Sequence, residues 1–230
     1  MIINGFLKMT LLDFPGRVAC TVFTAGCNMR CPFCHNAPLV TEINTDERIA
    51  AEEVISFLKK RQGLLDGVAI TGGEPLMQKD IADFIAEIRA LGYSVKLDTN
   101  GTFPERLEEL IKSGVLDYVA MDIKNCPGLY AETVGVPSFD ITPIKESVKL
   151  LLEGGVDYEF RTTVVRQFHD VNSIEKAAEW IKGAKRYFLQ AFTDSGNLIG
   201  ENMSGVPKEE MQKMAEAAKK YIKAVSLRGI

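Results

Sequence analysis

Short apolar runs alternate along this chain with longer segments whose apolar residues recur every three or four positions. The longer segments, such as Glu52–Gln62 and Ile81–Leu91, place these residues on one face of a helix. The short runs have the length and composition of buried strands. They are Val18–Phe23, Val68–Thr71, Ser94–Asp98, Tyr118–Asp122, Tyr158–Val165 and Tyr187–Ala191.

Proline and glycine mark the ends of the predicted helices. Pro104 and Pro143 suit a first helical turn, where the missing N–H is not needed, and Thr142 is a suitable N-cap for the second. We expect a C-terminal helix over about 207–223. Glycine tolerates the left-handed conformation common at helix ends. The glycines at predicted ends are Gly92, Gly114, Gly154 and Gly183.

Six strands that are each followed by a helix predict an α/β fold with a parallel sheet and right-handed crossovers. Six units are too few for a complete eightfold barrel, so a partial barrel or an open doubly wound sheet remains. No low-complexity linker or charge block divides the 230 residues, and we expect a single domain over 1–230.

Composition excludes several classes of protein. The apolar content of 46% and the charged content of 25% are typical of soluble globular domains. The formal net charge is −4 and basic residues do not cluster, so nucleic acid is not an expected partner. No apolar run could span a bilayer and no leader is recognisable. We therefore expect a cytoplasmic protein with no membrane partner.

Three of the five cysteines lie close together in a loop-like stretch, at Cys27, Cys31 and Cys34. Iron–sulfur clusters and structural zinc sites both normally take four protein ligands, and no fourth cysteine is near. The spacing therefore favours a metal cluster with one open coordination position. The alternatives are a zinc site closed by His35 or a distant cysteine, and unliganded cysteines.

Polar or glycine-rich residues follow the other predicted strands. In parallel α/β folds the carboxyl ends of the strands meet at one edge, where functional residues collect. We therefore expect these segments to share one rim with the cysteine loop. They are Thr71-Gly72-Gly73-Glu74-Pro75, Asp98-Thr99-Asn100-Gly101, Asp122-Ile123-Lys124-Asn125, Arg161 and Gln190.

This order of motifs resembles the radical S-adenosylmethionine (SAM) superfamily over almost the whole chain. The stretches Ile3–Gly16 and Cys34-His35-Asn36 resemble the glycyl-radical-enzyme activating enzymes, in particular those of the anaerobic ribonucleoside-triphosphate reductase. The resemblance implies a partial (β/α)6 TIM-like barrel with the cluster loop at about 24–37.

The resemblance implies that Cys27, Cys31 and Cys34 hold a 4Fe–4S cluster whose open iron is chelated by SAM. Reductive cleavage of SAM would give a 5′-deoxyadenosyl radical, which abstracts hydrogen from a glycine of a partner glycyl radical enzyme. The chain lacks a second cysteine cluster, so a flavodoxin or ferredoxin is the expected electron donor. The alternatives are activation of pyruvate formate-lyase and a small-molecule reaction like that of 7-carboxy-7-deazaguanine synthase.

The resemblance also implies contacts with SAM. Glu74, after the flexible Gly73, is expected to accept a hydrogen bond from the methionyl ammonium, unless it only caps a helix. Phe33 would offer its face to the adenine, unless it is a core aromatic. The remaining residues implied to bind the cofactor are Asp98, Asn100, Lys124 and Arg161.

Asp98, Thr99 and Asp122 resemble the ligands of a monovalent cation beside the cofactor carboxylate. The two acids could instead pair with Lys124, and Arg161 could form a structural ion pair across the sheet.

Neither histidine is expected to be a metal ligand. His35 adjoins Cys34, which gives it poor geometry for capping the open iron, and we expect it to hydrogen-bond the backbone near the cluster. His169 has the sequence context of an ordinary loop histidine.

The assignment of the cysteines is testable by substitution. Replacing Cys27, Cys31 or Cys34 with alanine is expected to abolish the brown absorbance after anaerobic reconstitution with iron and sulfide, because each supplies a ligand. Cys20→Ser and Cys126→Ser are the matched controls and should retain it. Loss of the cluster in either control would show that the ligand set is different.

Overall fold

The structure of the protein is a computed structural model, which describes residues 1–43, 46 and 48–230. Within these residues eight strands form one sheet whose spatial order follows the chain. The first two strands are antiparallel, and every later neighbouring pair is parallel. The strands are β1 (Ile3–Thr10), β2 (Ala19–Thr24), β3 (Gly67–Gly72), β4 (Ser94–Thr99), β5 (Tyr118–Asp122), β6 (Asp157–Val164), β7 (Tyr187–Ala191) and β8 (Val225–Arg228).

Helices connect the parallel strands. Each crossover from β2 to β8 contains a helix of nine to twelve residues, and two short helices follow β2 and β5. None of the described helices is both long enough and apolar enough to cross a bilayer. The helices are α1 (Ala37–Thr41), α2 (Ala51–Lys59), α3 (Ile81–Ala90), α4 (Pro104–Lys112), α5 (Tyr130–Val134), α6 (Thr142–Glu153), α7 (Val171–Trp180) and α8 (Lys208–Ala218).

The predicted α/β class is confirmed, and each of the six predicted strands agrees with the structure to within one residue at either end. The edge strands β1 and β8 were not predicted, because β1 is half exposed and β8 has only four residues. Thr142 is not the N-cap: α6 begins at that residue, and Asp140 Oδ1 accepts from its N–H at 2.9 Å. The last helix ends at 218, earlier than the expected 223.

The two faces of the sheet differ in chemistry. Successive side chains of a strand point to opposite faces. On β4, Val95 and Leu97 belong to the main apolar core, whereas Lys96 and Asp98 lie on the other face. At β4 the concave interior of the partial barrel is therefore lined by charged groups, which adjoin a small cluster of Phe14, Ala19, Tyr118 and Ala120.

An aromatic pair and an ion pair lie at the amino-terminal end of the interior. Phe14, from the loop after β1, packs against Tyr118 with ring centroids 6.3 Å apart. Nearby, the side chain of Glu159 is 1% exposed. Its carboxylate accepts hydrogen bonds from both terminal nitrogens of Arg228, at 2.7 and 2.9 Å. The Tyr118 hydroxyl donates to the same carboxylate at 2.8 Å. Strand β8 therefore supplies the charge that neutralises Glu159.

Removing the Arg228 side chain should destabilise the protein, because a buried carboxylate would lose its cationic partner. Arg228→Ala is expected to lower the unfolding free energy by about 2–4 kcal/mol in urea titrations. Adding Glu159→Gln to Arg228→Ala should restore part of the lost unfolding free energy, because no buried charge is then left unpaired. Arg166→Ala breaks an exposed ion pair to Glu210 and is the control, with an expected cost of about 0–1 kcal/mol. If Arg228→Ala and Arg166→Ala lowered the unfolding free energy equally, the role given to Arg228 would be contradicted.

Candidate functional site

A cavity of about 380 Å³ lies at the carboxyl-terminal edge of the sheet. Residues from the ends of β2 to β7 line it, so the predicted rim forms one site. The side chain of Glu74 is the exception, because it lies beneath the lining. The predicted residues that line the cavity are Cys27, Cys31, Phe33, Cys34, Gly73, Asp98, Thr99, Asn100, Asp122, Lys124, Arg161 and Gln190.

The three clustered cysteines face this cavity as free thiols. Burial raises the pKa of each thiol, to about 12 for Cys31, while the charge of Lys124 acts in the opposite direction. The Cys27 Sγ accepts from Met29 N at 3.4 Å and from Asn100 Nδ2 at 3.7 Å. Such donors stabilise a thiolate once a metal has displaced its proton.

These thiols suit a cluster better than a single ion. In the described part of the chain, no group of three or more His, Cys, Asp or Glu side chains is arranged to hold one metal ion. Cys20 and Cys126 are buried elsewhere and do not line the cavity. The donor set is therefore three thiols that face one space, which fits a 4Fe–4S cluster with one iron free of protein ligands.

The loops after β2 and β3 lie in direct backbone contact. Gly73 N donates to Thr24 O at 2.8 Å, and Glu74 N donates to Gly26 O at 2.7 Å. A Cβ on Gly73 would lie 2.0 Å from the Gly26 oxygen, and one on Gly72 would lie 2.3 Å from the Thr24 oxygen. Only glycine permits this approach, so the Gly-Gly pair fixes the height of the cysteine loop above the sheet.

Glu74 is fully buried and bonded to protein donors. Its Oε1 accepts from Leu76 N at 3.1 Å and from Thr99 Oγ1 at 2.8 Å, and its Oε2 accepts from Asn100 N at 2.6 Å. It thereby caps the short 3-10 helix Pro75–Met77 and holds the turn after β4. Burial raises its pKa to about 7, outweighing these hydrogen bonds. Its contact with the SAM ammonium stays a prediction.

Asp98 and Asp122 form a network with three cations on the cavity floor. Arg161 bridges them, with Nη1 donating to Asp98 Oδ2 at 3.0 Å and Nε donating to Asp122 Oδ1 at 2.9 Å. Lys124 Nζ donates to Asp122 Oδ2 at 2.9 Å, and Lys96 Nζ donates to Asp98 Oδ1. The predicted alternative, ion pairing of these side chains, is therefore observed.

The network keeps both carboxylates ionised. Burial alone would raise the pKa of Asp98, but the charges of Arg161 and Lys96 hold it below its usual value. Burial likewise opposes ionisation of Asp122, yet Arg161 and Lys124 lower its pKa to about 2. The same pairing raises the pKa of Lys124 and of Arg161 despite their burial. The floor therefore has fixed charges at neutral pH.

The expected monovalent cation does not fit this arrangement. Each oxygen of Asp98 and Asp122 already accepts from a cationic side chain. The third expected ligand, Thr99 Oγ1, donates to Glu74 and accepts from Gly101 N at 3.1 Å. A metal ion at these oxygens would meet the repulsion of three fixed positive charges.

The aromatic residues near the cysteines pack mainly against one another. Phe33 is buried, and its ring lies 5.6 Å from Phe168 and 6.3 Å from His169, so the core interpretation is observed while the adenine contact stays a prediction. The His35 ring packs against Phe192 at 5.4 Å. The expected hydrogen bond from His35 to the backbone is not present among the described contacts.

Three positioning residues were missed from the sequence. His169 is buried, accepting from Val165 N at 3.0 Å and lying 2.8 Å from Lys124 O, so it is not an ordinary loop histidine. Asn36 Nδ2 donates to Gly72 O at 2.9 Å, which ties the cysteine loop to β3. The third is Lys96, whose signal was available: it is a charged residue in the middle of a predicted buried strand, two positions before Asp98.

The raised pKa of Glu74 predicts a specific pH dependence of stability. A carboxyl whose folded pKa is raised contributes stability that is complete below its unfolded pKa and is lost as pH rises through the folded value. The unfolding free energy of the wild type minus that of Glu74→Gln should therefore fall by up to about 3 kcal/mol between pH 5 and pH 8. Urea titrations at several pH values measure this difference.

The control for this series is Glu87→Gln, which changes an exposed glutamate on α3. The unfolding free energy of the wild type minus that of Glu87→Gln should stay constant between pH 5 and pH 8. A wild-type minus Glu74→Gln difference that stays constant from pH 5 to pH 8 would show that Glu74 ionises normally.

The sequence matches a family described as the radical SAM superfamily over residues 21–181. A Methanocaldococcus jannaschii protein, provisionally named a glycyl-radical enzyme activating enzyme, is 35% identical over 239 aligned positions, covering 100% of this chain and 96% of that protein. The pyruvate formate-lyase-activating enzyme of Listeria monocytogenes is 34% identical over 134 positions, covering 53% of this chain and 52% of that enzyme.

A solved structure supports the same fold. Streptococcus suis SuiB bound to S-adenosylmethionine superposes with a TM-score of 0.71 and 16% sequence identity, covering 90% of this chain and 49% of that chain. At this identity the likeness shows the fold alone. The family match spans most of the chain and contains all three cavity-facing cysteines. This chain therefore belongs to the radical SAM superfamily of enzymes, which use a 4Fe–4S cluster and SAM.

Proposed function

We propose that this enzyme activates a glycyl radical enzyme, with anaerobic ribonucleoside-triphosphate reductase as its partner. The observation that carries the proposal is the full-length likeness to the Methanocaldococcus jannaschii activating enzyme. The opening stretch Ile3–Gly16, outside the matched family region, adds the resemblance to reductase activating enzymes.

The residues of the chain have distinct tasks in this proposal. Cys27, Cys31 and Cys34 hold the cluster, and the bound cluster and SAM together supply the 5′-deoxyadenosyl radical. Lys124 and Arg161 present fixed positive charge on the cavity floor and attract the carboxylate of SAM.

The SAM ammonium needs hydrogen-bond acceptors. The backbone at Gly72 and Gly73 lines the cavity, and the fully buried Glu74 follows it in the chain. Glu74 would act on the ammonium through its negative charge as well as by ordering the turn after β4. SAM binding should then weaken in Glu74→Gln while the cluster is retained.

Access to the cavity suits a protein substrate. Cys27, Cys34 and Gln190 all line the cavity and retain partial solvent exposure. A backbone glycine on a partner loop must come into van der Waals contact with the radical, and an open rim admits such a loop.

The electron donor is proposed to be a flavodoxin or a ferredoxin. Within the described residues, the two cysteines outside the triplet are buried at separate positions and do not form a second cluster site. The electron would therefore reach the cluster from outside the chain.

Anaerobic mixing tests the proposal. The reconstituted enzyme, dithionite and SAM are combined with anaerobic ribonucleoside-triphosphate reductase, and the glycyl radical doublet is recorded by electron paramagnetic resonance. We expect a doublet with the wild type and none with Cys34→Ala or with a reductase whose radical glycine is alanine.

Other outcomes identify other activities. If only pyruvate formate-lyase acquires the doublet, the proposed reaction is correct but the partner is pyruvate formate-lyase and not the reductase. Formation of 5′-deoxyadenosine with turnover of a small molecule, and no doublet on either partner, would overturn the activating function.

A further inference from the structure

A lysine occupies the middle of β4 with almost no contact with solvent. The side chain of Lys96 is 3% exposed, and the residue lies in register with Ala69 on β3 and Tyr118 on β5. Burying an ammonium group is costly unless an opposite charge compensates it. A buried lysine at this position therefore needs an electrostatic reason.

That reason is Asp98, which lies between the lysine and the cavity. Lys96 Nζ donates a hydrogen bond to Asp98 Oδ1, and Asp98 Oδ2 accepts one from Arg161. Asp98 lines the cavity whereas Lys96 does not. The small side chains of Ala69 and Ala120 lie in register with the two residues and leave space on this face for the lysine stem.

The charge count shows what Lys96 contributes. The cavity floor contains three carboxylates, Asp13, Asp98 and Asp122, and the cations Arg161 and Lys124. With the ammonium of Lys96 beneath Asp98 the formal sum of these groups is zero, and without it the sum is −1. Loss of the ammonium would therefore make the floor one unit more negative and weaken its attraction for the carboxylate of SAM.

We propose that the Lys96 ammonium is a covalently attached substitute for a dissociable monovalent cation at the cofactor site. An ammonium is a compact point charge of the same sign and valence as K⁺ or Na⁺. It neutralises Asp98 from the side away from the cavity, where a metal ion would otherwise have to be recruited from solution. Lys96 is thus a positioning residue, and its role rests on SAM binding at this cavity.

The proposal predicts cation independence in the wild type. SAM affinity of the reconstituted enzyme is measured by equilibrium dialysis in KCl, NaCl or choline chloride at equal ionic strength. Choline is too large to enter a site between carboxylates. We expect the wild-type Kd to agree within about twofold in all three salts. A fivefold or greater loss of SAM affinity in choline chloride would overturn the proposal. This measurement uses the wild-type enzyme alone.

Lys96→Met keeps the stem length and removes the charge. Its SAM affinity should fall about tenfold in choline chloride and recover at least threefold in KCl or NaCl. The control is Lys149→Met, whose side chain is 78% exposed on α6 and which should behave as the wild type. A folded Lys96→Met enzyme with equal affinity in all three salts would contradict the substitution of a metal ion by lysine.

Thermal unfolding without SAM separates this proposal from the proposed function. The unfolding temperature of Lys96→Met should rise in KCl or NaCl relative to choline chloride, whereas that of the wild type should not. This comparison holds even if the partner enzyme has been misidentified. Equal unfolding temperatures of the variant in all salts would mean that no cation site opens when the ammonium is removed.

Discussion

The position of the metal-binding loop depends on one close approach between two backbones. The carbonyls of Thr24 and Gly26 accept from the amides of Gly73 and Glu74, at distances that leave no room for a side chain at the glycine pair. The Glu74 carboxylate then continues the connection to the turn after β4. Cluster ligands, backbone acceptors and cavity floor are thereby held in one hydrogen-bonded unit, so that pre-organisation rather than flexibility shapes the site.

The interior of this partial barrel is organised by charge pairs. Glu159 with Arg228 lies near the amino ends of the strands, and the pairs of Asp98 and Asp122 lie nearer the carboxyl ends. An apolar filling would pack more simply but would offer nothing to a zwitterionic ligand such as SAM. Paired charges compensate one another in the free enzyme while leaving fixed dipoles beneath the cavity.

Much of this architecture follows from the sequence. Buried parallel strands are nearly continuous apolar runs, and the six central strands were therefore predictable to within a residue, whereas β1 and β8 are edge strands with weaker patterns. The site was predictable as a set of strand ends but not in its side-chain directions. Sequence placed Glu74 at the rim, yet three donors turn its carboxylate inward. The full ion pairing of the expected cation ligands was not predicted, because it also depends on Lys96, which lies two residues before Asp98 on the same face of β4.

The placement of the cavity opposite the Phe14–Tyr118 pair has a consequence for the fate of a reactive intermediate. This aromatic pair and the Glu159–Arg228 ion pair both lie towards the amino ends of the strands. The cavity lies at the opposite, carboxyl-terminal end, where Cys27, Cys34 and Gln190 are partly exposed, so a radical formed at the cysteines would arise beside solvent. Under the proposed function, a partner loop docked in the mouth of the cavity would be both the substrate of that radical and its barrier against solvent.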